Sequence, residues 1–286
     1  RKAVELDGSQ SSYKIALGQA LLQADQNQAA YDLLKPLSLS AMDASHRSTY
    51  AVVFGQAATM TNRPEEAVAV LSTQVRADGK NGDLHQALGV AYNASGDDGK
   101  AYSSFATAFE LDPKNVVSGG NAVRSGILAA RRASGDADKA RYYTGAAQVA
   151  ERLATSSPTF DHNLLAGEAL LGAKQYDKAQ GWLEKAKTQQ PSNALVYLYL
   201  AQCKTSNNQL QAAIADLQQG LKAGPSAKVR TQIYSQGGYV YDKMKDYDQA
   251  IQWYQNAGND RMVASMREKK GAAQQNLAAE QECAEF

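Results

Sequence analysis

Residues 88–113 read LGVAYNASGDDGKAYSSFATAFELDP, and the spacing inside that stretch decides the fold. Gly89 is followed twelve positions later by Ala101 and four further on by Phe105. Between them Ser95-Gly96-Asp97-Asp98 is a turn signal, flanked on both sides by apolar residues at helical intervals: Leu88, Tyr92, Phe105 and Ala108. Pro113 stops the second run, since proline lacks an N–H and clashes with the preceding helical turn. The stretch is therefore two helices joined by a short turn, with its smallest side chains where the two backbones come closest. A larger residue there would overpack the contact at a cost of about 1–3 kcal/mol.

The same frame recurs along the chain. Gly18 is matched with Ala30 and Leu34, Gly55 with Ala67 and Leu71, and Gly167 with Ala179 and Leu183. Ala201 is matched with Ala213 and Leu217, and Gly238 with Ala250 and Tyr254. Counting Ala140, the key alanines stand at 30, 67, 101, 140, 179, 213 and 250, separated by 37, 34, 39, 39, 34 and 37 residues. Asn62-Arg63-Pro64 and Lys245-Asp246 supply further turn signals. Each hairpin has apolar residues left on its flank that only a stacked neighbour can bury, so the units must form a solenoid.

These residues resemble the tetratricopeptide consensus at every diagnostic position, and the observed spacings sit close to its period of about 34 residues. The resemblance implies an all-α, right-handed superhelical solenoid of antiparallel helix-turn-helix repeats, closed by a C-terminal capping helix. The expected repeats are residues 9–43, 44–80, 81–114, 115–158, 159–192, 193–226 and 227–258. Residues 1–8 are expected to end a truncated preceding repeat, because Ala3-Val4-Glu5-Leu6-Asp7 parallels Ala108-Phe109-Glu110-Leu111-Asp112 and the chain opens on Arg1. Residues 259–286 are expected to form the cap and a frayed tail, with Val263, Met266, Ala273 and Leu277 as its apolar stripe. Two departures stand out. Pro36 falls inside the second helix of the first repeat, which should kink or end early. The repeat around Ala140 has Leu128 where a small residue belongs and Thr144 where a bulky one does, and it calls for longer helices.

Composition narrows the function. With 30 basic and 29 acidic residues the net charge is +1, without the basic excess of a nucleic-acid binder. No run approaches the ~18 apolar residues of a membrane span. Cys203 and Cys283 stand at no metal-ligand spacing and are read as free thiols. His46, His85 and His162 lie in different repeats, with no second ligand at metal spacing. Asp78-Gly79-Lys80-Asn81-Gly82-Asp83 fails as a calcium loop, having Asp83 where a glycine is required. Asn93-Ala94-Ser95 and Arg131-Arg132-Ala133-Ser134 match short modification patterns at the level of chance. Trp182 and Trp253 share one repeat position and read as packing between repeats. No catalytic motif and no cofactor is expected.

In arrays of this family the first helices line a concave groove, and the resemblance carries its contact positions to Ile15, Gln19, Val52, Gln56, Gln86, Val90 and Asn93. Further along they fall on Leu164, Glu168, Leu198, Gln202, Ser235 and Tyr239. Side-chain amides both donate and accept, so this row suits the backbone of an extended segment. The lysine–asparagine pair with which one branch of the family clamps a chaperone tail is absent. Arg124, Arg131, Arg132, Lys139 and Arg141 form a candidate basic patch for an acidic partner, set against the plainer reading of a solvated face. The expectation is a non-enzymatic, monomeric scaffold that binds a protein or peptide and no nucleic acid. Its style suggests assembly of a bacterial cell-envelope complex, in the periplasm or envelope before the cytoplasm. The regulatory or recruitment half of a larger enzyme stays open as the alternative, and weak self-association through terminal repeats as a further one.

Overall fold

The structure, a computed structural model, describes residues 11–284. The expectation placed on residues 1–8 lies outside them. The described residues contain fifteen α-helices and no strand, so the all-α fold class holds. The chain divides into two compact units, Arg1–Ser157 and Pro158–Phe286.

The first unit is a row of four helix pairs: α1 (Ser11–Gln23) with α2 (Asn27–Leu34), α3 (Ala44–Met60) with α4 (Pro64–Ala77), α5 (Gly82–Ala94) with α6 (Asp98–Leu111), and α7 (Val116–Arg132) with α8 (Asp136–Ser156). The second unit pairs α9 (Phe160–Gly172) with α10 (Tyr176–Gln189), α11 (Ala194–Ser206) with α12 (Leu210–Lys222), and α13 (Ala227–Lys243) with α14 (Tyr247–Asn256), and closes on α15 (Asp260–Ala284). Each helix packs on the next in sequence within its unit, and first helices pack on first helices: α1 on α3, α3 on α5, α9 on α11 and α11 on α13.

One turn geometry joins six of the seven pairs. A single residue takes a left-handed conformation: Asp25, Asn62, Gly96, Lys174, Asn208 or Lys245. The residue after it donates its N–H to a carbonyl five positions back, as Arg63 does to Ala58 at 2.8 Å and Asp97 to Tyr92 at 2.9 Å. This closure satisfies the orphan carbonyls at the end of the first helix and reverses the chain at once. Only at Gly96 is the left-handed residue the one that adopts it at no steric cost. The α7–α8 connection lacks this geometry and passes through extended Ala133 and Gly135.

The core runs between the paired helices. Ala30, Ala67, Ala101, Ala179, Ala213 and Ala250 have no exposed surface. A Cβ placed on Gly18 would lie 2.8 Å from Leu34, and one on Gly55 would lie 2.5 Å from Leu71, so each glycine makes room for the bulky residue sixteen positions on. Each such leucine contributes about 1.5–3 kcal/mol by burial. In the first two pairs Tyr31, Phe54 and Tyr50 stack in series, with ring centroids 5.8 and 5.6 Å apart.

Both departures are present, the second with a different helix contact from the one its spacing predicts. α2 ends at Leu34, two residues before Pro36, as expected of a residue whose successor cannot continue a helix. α7 and α8 are long, at 17 and 21 residues, also as expected. Ala140, however, is exposed on α8. The close approach in this pair lies further from the turn, where a Cβ on Gly126 would stand 2.9 Å from that of Ala146, and one on Gly119 would stand 3.2 Å from Leu153. In the second unit Trp253 packs inside its own pair, 5.5 Å from Tyr234 and 5.8 Å from Tyr241 between ring centroids. Val263 and Met266 of α15 are buried beside Ala250 and Tyr254, whereas Ala273 is exposed; the expectation placed on the Leu277 side chain lies outside the described residues.

Candidate functional site

On α3 the residues at 52, 56, 59 and 60 fall on one helical face, and on α5 so do those at 83, 86, 87 and 90. The two faces meet in a cavity of about 310 Å³. Val52, Gln56, Thr59 and Met60 form one side; Asp83, Gln86, Ala87 and Val90 form the other. Met60 is 52% exposed and Val90 42%, so the cavity presents apolar surface to solvent. Four of the expected groove residues are brought together here. Met60, Thr59, Asp83 and Ala87 were not foreseen, although their spacing from Gln56 and Gln86 would have found them.

The amides of α5 are held by α7. Asn115, the cap of α7, accepts the backbone N–H of Ser118 on its Oδ1 at 3.0 Å, which leaves its Nδ2 to donate. That donor reaches Gln86 Oε1 at 2.6 Å, and Ser118 Oγ donates to the same oxygen at 3.1 Å. With its carbonyl doubly occupied, Gln86 keeps its NH₂ end to donate. Two turns along, Ser125 Oγ donates to Asn93 Oδ1 at 3.0 Å. Ser118 and Ser125 are themselves buried, so the two bonds form a ladder between the helices. Asn93 and Gln86 thus position helices as well as facing solvent.

The other expected residues divide. Gln19 is exposed on α1, but Ile15 is 3% exposed and belongs to the core of the first unit. In the second unit Leu198 is 2% exposed and packs among Ala194, Ala201 and Val240, so it too offers no contact surface. Leu164, Glu168, Gln202 and Ser235 are half-buried. Tyr239 is exposed, with Lys243 Nζ 5.6 Å from its ring centre.

The candidate basic patch is largely neutralised. Arg132 meets Asp98 at 2.5 Å, Arg141 meets Asp138 at 3.0 Å and Lys139 meets Asp136 at 3.6 Å. Arg131 is engaged as well, which leaves Arg124 on the exposed side of α7. The three cations matched to carboxylates on a wet surface add little net field for an acidic partner.

Cys203 is a free, buried thiol, pushed up to about 12 by burial. His85 Nε2 lies 3.0 Å from the carbonyl of Gly79 and closes a loop. Among the described residues no three His, Cys, Asp or Glu side chains gather as a metal site would need, and no helix is long and apolar enough to cross a membrane.

Two family models, each of the tetratricopeptide repeat, match the chain: one over residues 82–115 and 231–257, the other over residues 170–233. The first span covers α5 and α6 together. The chain superposes on the C-terminal part of a TPR repeat-containing protein from Cytophaga hutchinsonii with a TM-score of 0.60, at 13% identity, covering 89% of this chain and 98% of that one. On a tetratricopeptide repeat protein from Parabacteroides merdae the TM-score is 0.52 at 12% identity, covering 90% and 97%. At such identities the likeness is one of fold. A comparison with curated proteins finds no significant match. The repeated small-to-large contact, the shared turn and the matched repeat models together identify tetratricopeptide repeats in the chain.

Proposed function

We propose that this chain is a non-catalytic scaffold that binds a short segment of a partner protein in the groove over α3 and α5. Its repeats support a role in protein–protein interaction, and one observation carries the finer reading. Val52, Met60, Ala87 and Val90 leave apolar surface open to solvent in a concave site, edged by the amides of Gln56 and Gln86. Concave apolar surface with a few fixed polar groups is what a binding site needs, and these groups suit a peptide backbone. A near-neutral chain favours protein over nucleic acid as the ligand. Abundant Gln and Ala support a setting in cell-envelope assembly, which remains part of the proposal.

Selection of displayed random peptides on the full chain tests the reading, run beside a variant carrying Gln56→Arg and Val90→Glu. Both positions are exposed, so the variant should keep its helical circular dichroism. Peptides that bind the parent and lose the variant are the expected outcome. Peptides that bind both equally, or no selected peptide at all, overturn the groove reading.

A further inference from the structure

The polar groups of the α3–α5 cavity are unequal, and the inequality says what it takes. Asp83 is the one charged residue lining it, and this exposed carboxylate has no side-chain partner among the described residues. Thr59 donates its hydroxyl proton to the carbonyl of Gly55 at 2.8 Å, so only its lone pairs remain to offer. Gln86 has its carbonyl occupied from α7 and offers a donor. The cavity therefore has an apolar middle, acceptors at Asp83 and Thr59, and a donor at Gln86.

The volume narrows the ligand further. At about 310 Å³ the cavity sits at the small end of ligand sites, with room for one long side chain. A purely apolar side chain would fit the walls and leave the Asp83 carboxylate unused, without the charge-assisted contact it can make. An acidic side chain would meet Asp83 with like charge. A basic side chain satisfies every part: its methylene stem lies along apolar surface while its head keeps a charged contact.

We propose that the cavity receives an arginine or lysine side chain from the bound segment. The stem runs between Met60 and Val90, the cationic head binds Asp83 with Thr59 as second acceptor, and Gln86 donates to a backbone carbonyl of the segment. This rests on the reading of the groove as a segment-binding site and adds the chemistry of its anchor.

The test repeats the displayed-peptide selection with Asp83→Asn and Asp83→Lys in place of the groove variant. Asp83 is exposed in the first turn of α5, so neither substitution should unfold the unit, and circular dichroism checks this. Peptides selected by the parent should carry a basic residue beside apolar ones and weaken about tenfold on Asp83→Asn. Asp83→Lys should select acidic residues at that place instead. If the selected peptides need Gln56 and Val90 yet carry no basic residue, or bind Asp83→Asn unchanged, the basic anchor is wrong and the groove reading survives. If no peptide depends on Gln56 and Val90, both fall together.

Discussion

Gly89 of α5 lies against the ring of Phe105 of α6 so closely that a Cβ on the glycine would stand 2.7 Å from the nearest ring carbon. Phe105 has no exposed surface and cannot swing away. Gly181 on α10 is the opposite case, since a Cβ there would meet nothing within 4 Å. The same substitution should therefore have opposite signs at the two sites. Alanine gains about 1 kcal/mol over glycine in a helix, and that gain stands alone at Gly181. At Gly89 overpacking of about 1–3 kcal/mol opposes it, for a net loss of about 1 kcal/mol. Urea unfolding of Gly89→Ala and Gly181→Ala measures both. Two stabilised variants would mean the ring absorbs the methyl and the contact is not tight.

A charge tests the register of the key alanines. Ala101 is fully buried between α5 and α6, so Ala101→Glu places a carboxylate where nothing can pair with it, and we expect a loss of about 3 kcal/mol or more. Ala140 is exposed, so Ala140→Glu should stay within about 0.5 kcal/mol of the parent. Thermal melts of the two variants decide the matter. Equal melting points would show that the two alanines share one environment.

That contrast also marks how far the sequence could be read. In α5 and α6 the twelve-residue spacing from Gly89 to Ala101 fixes the contact because the turn between the helices has a constant length. In α7 and α8 the helices are longer and the turn is of another kind, so the spacing no longer finds the crossing. Gly119 and Gly126, seven apart and thus on one helical face, were the signal that would have found it. Surface positions were less legible. Offsets along a first helix place Gln56 and Val90 in the open cavity, yet the same rule sends Ile15 and Leu198 into the core. Depth depends on the neighbouring helix, which a single helix's pattern does not encode. The pairing of Arg132 with Asp98, 34 positions apart, was hidden for the same reason.

Asn115 joins the fold to the site and should report on both. Its Oδ1 caps α7, and its Nδ2 holds Gln86. Asn115→Ala should cost about 1 kcal/mol through the lost cap. It should also speed hydrogen exchange at the Ser118 amide and leave Gln86 held by Ser118 Oγ alone. Asn115→Asp keeps the capping acceptor and loses the donor, so it should preserve the Ser118 protection while removing one of the two bonds to Gln86. If exchange at Ser118 rises equally in both variants, the cap is not what protects that amide.

Two tyrosines make stability depend on alkaline pH. Burial pushes Tyr50 up to about 12, and its hydroxyl donates to the carbonyl of Leu37 at 3.2 Å. Tyr254 is also pushed up to about 12, by burial first and then by Asp242 and Tyr239. Both folded values lie above the ordinary 10.0, so the folded chain holds protons that the unfolded chain releases. Stability from these groups is therefore complete below about pH 10 and drains away as pH rises toward about 12. The buried Cys203 thiol adds to the loss in the same direction, starting from its ordinary 9.0. The unfolding free energy from urea titrations should fall between about pH 9 and about pH 11, by roughly 1 kcal/mol for each tyrosine. The fall should be smaller in Tyr50→Phe, which has no proton to lose there. A pH dependence that Tyr50→Phe leaves unchanged would assign the loss to other groups, because a phenol that ionises equally in both states cannot alter the balance between them.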